Sequence, residues 1–256
     1  MLDSAGLVQI GDKGKIKKRT IHEDLPISQA RLVLGTMTDP YQPAERKYRI
    51  TRTALEIITR HSNQFKKVGI FTRSPIVLDD IDLIAKLPQS RVHFTITPFP
   101  PDVMRTIEPI SPKTERRWEV LKELKQAGIR LHVNISPVMP IISDDFVESW
   151  AEKLAEIEPA EAFIDPMQAY KESFESFEHA MEGRSEWTQI KEIMTNSELY
   201  SEWKLRYRML WEKVWSDVGR KAPGTLLIWS DHVHKTWVDL RSGIQMDRRH
   251  YGDEAL

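Results

Sequence analysis

Cysteine is the residue that this chain lacks entirely, since none occurs among its 256 residues. The polypeptide therefore supplies no disulfide, no thiolate nucleophile and no thiolate ligand for a metal cluster. It also has no apolar run close to the roughly 20 residues that span a bilayer, and its polar N-terminus has no signal-peptide core. We expect a cytoplasmic protein that does not contact a membrane.

An excess of charge of either sign is also absent. The 37 Lys and Arg residues and 38 Asp and Glu residues give a formal net charge of −1. No overall basic field therefore indicates binding to nucleic acid, although a local patch is compatible with this balance. Glycine-rich loops of the Gly-x-Gly-x-x-Gly and Walker types do not occur, which disfavours dinucleotide-binding and P-loop folds.

Short apolar runs alternate with helical patterns from Leu32 onward. Six runs predict β-strands, at residues 32–35, 68–72, 92–97, 129–135, 162–164 and 225–229. Three helices are predicted between them: residues 52–61 capped by Thr51, a helix opened by Ser111 and Pro112 and ended by Gly128, and residues 146–157 opened by Ser143 and Asp144. This alternation predicts a parallel sheet with right-handed crossovers.

The first five predicted strands all end in polar or proline-bearing sequence. This favours a (β/α) barrel, in which all strand ends meet at one mouth, over an open doubly wound sheet. After Asp165 the chain becomes rich in Glu, Lys, Trp and Tyr at helical spacing. We predict an α/β fold with a basic lead-in at residues 1–31, a partial (β/α) TIM-like barrel of parallel strands at 32–167 and a helical C-terminal extension at 168–256, packed on the barrel.

Two groups of residues in the C-terminal segment admit both a functional and a simpler interpretation. Four tryptophans at helical spacing are candidates for stacking on bases, but such residues more often fill a helix interface, which we favour: Trp187, Trp203, Trp211 and Trp215. His232 and His234 have the spacing of two imidazoles on one strand face. No carboxylate or cysteine completes a metal set around them, so we predict no metal there.

The most informative stretch lies at residues 35–45, which read Gly-Thr-Met-Thr-Asp-Pro-Tyr-Gln-Pro-Ala-Glu directly after the first predicted strand. It holds more prolines, threonines and carboxylates than a simple turn requires. Further segments follow at later strand ends: Thr-Arg-Ser-Pro at 72–75, Thr-Ile-Thr-Pro at 95–98, residues 108–117 and Asn-Ile-Ser-Pro at 134–137. From about residue 32 to 145, the chain resembles radical S-adenosylmethionine proteins of the spore-photoproduct-lyase-like group.

The resemblance implies an S-adenosyl-L-methionine cofactor, a 4Fe-4S cluster and a radical lyase reaction in the repair of DNA. It also supplies candidate cofactor contacts at the strand ends, which are Thr36, Thr38, Asp39, Glu45, Arg73, Ser74, Thr95, Thr97, Asn134 and Ser136. In the family a Cys-x3-Cys-x2-Cys motif after the first strand holds the cluster, and this chain has no such motif. No catalytic residue and no metal ligand is therefore predicted.

The missing motif leaves two explanations, a chain truncated without its first strand or a degenerate relative, and we favour truncation. In both cases the chain alone is expected not to bind the cluster. The next strand would then be an exposed edge, which a partner chain that supplies the missing strand would cover. Two alternatives stay open: a non-radical barrel enzyme with Asp39, Glu45 or Glu108 as acid and base, and a non-catalytic binding or interaction protein.

Overall fold

The computed structural model describes residues 8–10, 16–18, 30–140, 144–167, 171–231, 236–242 and 245–247. Two short strands of the lead-in, β1 (Val8–Ile10) and β2 (Ile16–Lys18), pair antiparallel, which the sequence did not predict. The main sheet consists of β3 (Ala30–Leu34), β4 (Phe65–Thr72), β5 (Arg91–Ile96), β6 (Leu131–Val138), β7 (Glu161–Pro166), β8 (Leu226–Asp231), β9 (Thr236–Asp239) and β10 (Gln245–Asp247).

The sheet follows the chain order, so that each strand from β3 to β10 lies beside the next one. The strands β3 to β8 are parallel, whereas β9 and β10 are added antiparallel. All six predicted strands are present. The prediction of a partial barrel of parallel strands is confirmed, and β3 is the edge strand of the sheet within the described residues.

The helices described are α1 (Glu45–Tyr48), α2 (Ile50–Arg60), α3 (Ile81–Ile84), α4 (Pro101–Ile107), α5 (Thr114–Gln126), α6 (Asp144–Ile157), α7 (Lys171–Ala180), α8 (Ser185–Thr195) and α9 (Ser197–Val218). Helices α4, α7 and α8 pack with Phe99, Met139 and Met167, which follow β5, β6 and β7, in a second apolar cluster. Helices α2, α3, α5, α6 and α9 cover one face of the sheet. Alternate strand residues form the apolar core beneath them, and Val68, Phe94 and Val133 are each fully buried there. Because successive side chains of a strand point to opposite faces, the residues between these positions line the inner face of the barrel.

Two predicted helix starts are wrong. Thr51 does not cap α2, because Arg49 adopts a left-handed conformation (φ 50°) and the helix begins at Ile50. The backbone N–H of Thr51 instead donates to the carboxylate of Glu45 over 2.8 Å. The helix expected from Ser111 begins at Thr114, with no side-chain cap at its start.

The C-terminal segment is helical from α7 to α9 and then returns to the sheet as β8. All four predicted core tryptophans are at most 7% exposed, which confirms packing over stacking on bases. Since β8 extends the same sheet as the barrel strands, the segment contributes to the barrel as well as covering it; the bounds at 31 and 167 stay a prediction. Among the residues described, no helix is long and apolar enough to cross a membrane.

Candidate functional site

The carboxyl ends of the parallel strands form a mouth, where the loop after β3 opens with Gly35. This glycine has φ +89°, and a Cβ there would collide with the carbonyl oxygen of Phe71 on β4. Glycine is therefore required, since a left-handed conformation and a close backbone approach coincide at this position. The loop is thereby held tightly against the end of β4.

Asp39 joins the ends of β3 and β4. Its Oδ1 accepts hydrogen bonds from the hydroxyl of Thr72 (2.8 Å) and the backbone N–H of Tyr41 (2.9 Å). Its Oδ2 accepts one from the backbone N–H of Arg73 (2.9 Å). The carboxylate thus organises the mouth through the protein's own donors, and its predicted contact with a cofactor stays a prediction.

The other predicted residues nearby have different surroundings. Glu45 accepts a hydrogen bond from the backbone N–H of Thr51 and so supports the start of α2. The hydroxyl of Ser74 accepts a hydrogen bond from the backbone N–H of Ile76 (3.3 Å) at the start of the 3₁₀ helix at residues 75–80. Thr36 and Thr38 lie on the exposed surface of the loop. These residues border the mouth without converging on one point.

Two arginines and one carboxylate form the strongest charged group at the mouth. Glu108 accepts from Arg73 Nη1 (2.6 Å) and from Arg117 Nη2, and it also accepts from the hydroxyl of Thr97 (3.1 Å). Arg117 is fully buried and further donates to Thr97 Oγ1 (2.9 Å) and to the carbonyl of Pro112 (3.0 Å). Burial would raise the pKa of Glu108, but the two guanidinium charges outweigh burial and lower it.

This group leaves one cation available to a ligand. The side chain of Arg73 is 43% exposed, and only its Nη1 bonds Glu108. A guanidinium binds a carboxylate or phosphate through a fork of two N–H donors, so the outer edge of Arg73 can hold such an anion. Glu108 and Asp39 fix Arg73 in place, through its side chain and its backbone respectively.

A row of half-buried side chains lies on the inner face below the mouth. Thr95 on β5 is in register with Asn134 on β6, which is in register with Phe163 on β7. One step nearer the mouth, the hydroxyl of Ser136 donates to Asp165 Oδ2 (3.2 Å). All five are half-buried while the alternate positions facing the helices are closed, so the inner face is open at this level.

Beneath that row lies another, buried except at the half-buried Phe71, that sequence reasoning missed. Phe71, His93, His132 and Glu161 are in register across four strands. Phe71 stacks on His93 with ring centroids 4.2 Å apart, and His132 Nδ1 lies 2.8 Å from Glu161 Oε2. Burial lowers the pKa of both histidines, that of His93 to about 2. The sequence contains a signal for this row, because each histidine alternates with the apolar residues of its strand and so lies on the opposite face from them.

The structure brings together Arg73, Thr95, Asn134 and Ser136 around the mouth and its inner face. Thr97 is instead fully buried, where its hydroxyl bonds Glu108 and Arg117. A 4Fe-4S cluster does not fit this donor set, because the 256-residue chain has no thiolate to ligate it. Within the described ranges, no group of three or more His, Cys, Asp or Glu residues has the geometry to hold a metal ion. His232 and His234 lie outside the described residues.

Curated proteins that resemble this chain in sequence are uncharacterized. An uncharacterized protein of Methanocaldococcus jannaschii is 33% identical over 116 residues, which are 45% of this chain and 43% of that protein. An uncharacterized protein of Mycobacterium bovis is 28% identical over 116 residues, 44% of this chain and 33% of the relative. The chain thus spans less than half of the length of these relatives.

Solved structures of spore photoproduct lyase variants share the fold. One with dinucleoside spore photoproduct has a TM-score of 0.59 at 12% identity, covering 79% of this chain and 62% of the lyase. Another, with bound AdoMet and dinucleoside spore photoproduct, has a TM-score of 0.54 at 12% identity, covering 78% and 61%. A likeness at this identity shows the fold alone.

The family comparison agrees with the parallel barrel and with the loop that follows β3. The model of the Radical SAM superfamily matches residues 18–154, more than half of the chain. This span contains every residue of the mouth and its inner face described above except the three on β7, which are Glu161, Phe163 and Asp165. The chain belongs to the Radical SAM superfamily.

Proposed function

We propose that this chain is the ligand-holding barrel of a radical SAM protein similar to spore photoproduct lyase, and that the chain alone does not assemble a 4Fe-4S cluster. S-adenosylmethionine is the proposed ligand of the mouth. The observation that carries the proposal is the combination of an open polar inner face with a complete absence of cysteine. The chain keeps groups that hold an organic cofactor and lacks those that hold the cluster.

The polar groups match the chemistry of such a ligand. S-adenosylmethionine has a carboxylate, for which the outer edge of Arg73 is a donor, and a nucleoside with several hydrogen-bonding atoms. Asn134 supplies an amide that both donates and accepts, and Thr95 beside it supplies a hydroxyl. When a cluster is bound in this family, it supplies the electron for cleaving the cofactor. The residues of this chain would bind S-adenosylmethionine and orient it.

The carboxylate acid and base hypothesis has less support. Asp39 accepts three hydrogen bonds, Glu45 holds the start of α2 and Glu108 lies between two arginines. A general base needs a pKa near the working pH, whereas the pKa of Glu108 is lowered. Action on a DNA lesion belongs to the proposal through family resemblance and the ligand of the structural neighbour.

Titration calorimetry with S-adenosylmethionine tests the proposed site. We expect saturable binding that weakens about tenfold in Asn134→Ala, because a ligand hydrogen bond to a partly buried amide contributes about 1–1.5 kcal/mol. Asn63→Ala is the matched control, since Asn63 is an exposed asparagine before the amino end of β4. The control should bind as the parent chain does.

Two outcomes would contradict the site. One is a lack of S-adenosylmethionine binding by a folded parent chain. The other is equal binding by the parent and Asn134→Ala, because the ligand would then lie elsewhere. Circular dichroism of each variant establishes that the chain is folded.

A further inference from the structure

The turn between α1 and α2 carries an unusual concentration of exposed positive charge. Residues 46–52, here called the basic elbow, read Arg-Lys-Tyr-Arg-Ile-Thr-Arg, and the five residues from Arg46 to Ile50 are all exposed. Neither the guanidinium of Arg46 nor that of Arg49 has a partner among the described residues. The chain as a whole is almost neutral, so this charge is local.

Arg49 occupies a position that normally favours glycine. Its φ of 50° lies in the left-handed region, at the C-cap of α1 and the N-cap of α2. A side chain in that conformation destabilises the backbone, and glycine at a helix C-terminus avoids the cost. Gln89 and Glu158 adopt the same backbone region, so the conformation marks the turn, and it is the exposed charge of Arg49 that carries the argument.

The surroundings of the elbow form a groove of about 570 Å³. Arg46, Arg49, Arg52 and Arg116 line it, together with the carboxylates of Glu45, Asp79 and Asp80. Arg52 is held by Asp80 (2.7 Å) and Asp82 (3.2 Å), and Arg116 by Glu119 and Glu123. Glu45 accepts a hydrogen bond from the backbone of Thr51 and keeps its charge, so Arg46 and Arg49 are the groove's available cations, and Glu45 and Asp79 are its available anions.

An aromatic ring lies among these cations. Tyr48 is 60% exposed, and Lys47 Nζ lies 5.0 Å from the centroid of its ring. Cations that follow a phosphate backbone, interleaved with a ring on which a base can stack, are the features of single-strand binding surfaces. We propose that the basic elbow binds the backbone of a single-stranded nucleic acid, with Arg46 and Arg49 on phosphates and Tyr48 against a base.

The position and the packing of the elbow fit this partner. The helix α1 directly follows the loop at residues 35–44, so a strand bound there lies beside the mouth of the barrel. A membrane surface fits less well, because Leu55 and Ile58, on the apolar face of α2, are buried against the barrel core, which leaves Ile50 and Ile57 as its exposed isoleucines. This inference rests on the nucleic-acid part of the proposed function, for which it names a binding surface, and it does not depend on S-adenosylmethionine binding.

Fluorescence anisotropy with a labelled oligothymidylate of about 20 nucleotides tests the surface on the whole chain. Neutralising two phosphates, one by each arginine, predicts a roughly sevenfold loss of affinity between about 50 and 200 mM salt. Arg46→Gln combined with Arg49→Gly should weaken binding at least about tenfold at the lower salt. Because Arg49→Gly removes backbone strain, the variant should unfold at no lower temperature than its Arg46→Gln parent.

Tyr48→Ala should weaken binding roughly fivefold or more, which corresponds to the loss of one stacked base. The control is Arg130→Gln combined with Lys221→Gln, two exposed cations before the amino ends of β6 and β8, at the opposite end of the barrel. It should change affinity less than about twofold.

Equal losses in the control and the elbow variants would overturn the proposal, as would no binding of the oligonucleotide by the folded chain. Binding to phosphatidylserine vesicles in place of the oligonucleotide would assign the elbow to a membrane. Tighter binding to a duplex than to the single strand would remove the stacking role. Because calorimetry with S-adenosylmethionine reports on the mouth alone, failure of one site is distinguishable from failure of the other.

Discussion

Glu108→Ala should destabilise the protein by about 3–5 kcal/mol, because it leaves the charge of Arg117 buried without its counterion. Arg117 is fully buried and donates to the Glu108 carboxylate, whose other oxygen holds Arg73. A typical domain has only about 5–15 kcal/mol of stability, so a large part of it depends on this contact. We expect the melting temperature to fall by roughly 10 °C or more.

Glu123→Ala provides a matched control, since it removes a partner of the neighbouring Arg116. That pair lies on the surface, with side chains 41% and 45% exposed, and should contribute less than about 1 kcal/mol. Replacing both buried partners, as in Glu108→Leu with Arg117→Met, should recover much of the loss, because no buried charge then remains. If urea unfolding gave equal losses for Glu108→Ala and Glu123→Ala, the buried pair would not support the mouth as described.

A second large effect is the loss of folding stability as the pH falls. Burial lowers the pKa of His93 to about 2, and the charges of His132 and Arg91 add to the shift. Burial also lowers the pKa of His132, and Arg91 and Arg130 act in the same direction against the opposing effect of Glu161. In the unfolded chain both imidazoles return to a pKa near the reference value of about 6.5.

The sign of the pH dependence follows from these directions. Above about pH 6.5 neither the folded nor the unfolded chain protonates the two imidazoles, so they do not change the free energy of unfolding. Below that pH the unfolded chain binds the protons, whereas the folded chain keeps both imidazoles neutral. Stability should therefore fall from pH 7.5 to 5.5 by about 1.4 kcal/mol for each fully depressed histidine, and by as much as about 2.7 kcal/mol for both. Urea unfolding at several pH values measures the decrease.

His93→Phe should remove about half of this pH dependence, because a ring remains against Phe71 while one proton site is lost. His179→Gln is the control, since His179 is 91% exposed and should leave the slope unchanged. His132→Gln gives a second comparison should His93→Phe fail to fold. Stability that stayed constant between pH 7.5 and 5.5 would show that the row of histidines is not buried in neutral form.

The strands of the barrel were predictable because their signal is local. Each of the six is an apolar run bounded by polar or turn residues, and a strand covered by helices on one face keeps such a run whatever its partners are. Gly35 likewise indicates the end of a strand through a local requirement. Its conformation and its close contact with β4 are required at the point where the strand ends.

The contacts of the site were less predictable, because they join residues far apart in the chain. The sequence predicts Asp39 as a cofactor contact, yet the donors that hold it include Thr72, 33 residues later. Glu108 is a candidate acid or base in the sequence, and nothing local marks Arg117 as its buried partner and Arg116 as an exposed residue. The basic elbow was missed because a left-handed arginine has no sequence signal; glycine is the residue expected there.

Anaerobic reconstitution of the purified chain with iron and sulfide, followed by iron analysis and an assay for 5′-deoxyadenosine in the presence of S-adenosylmethionine and a reductant, tests the central claim most directly. The absence of cysteine predicts iron far below the amount of a 4Fe-4S cluster and no 5′-deoxyadenosine, in a chain that still binds S-adenosylmethionine. A stoichiometric 4Fe-4S cluster with formation of 5′-deoxyadenosine would contradict it.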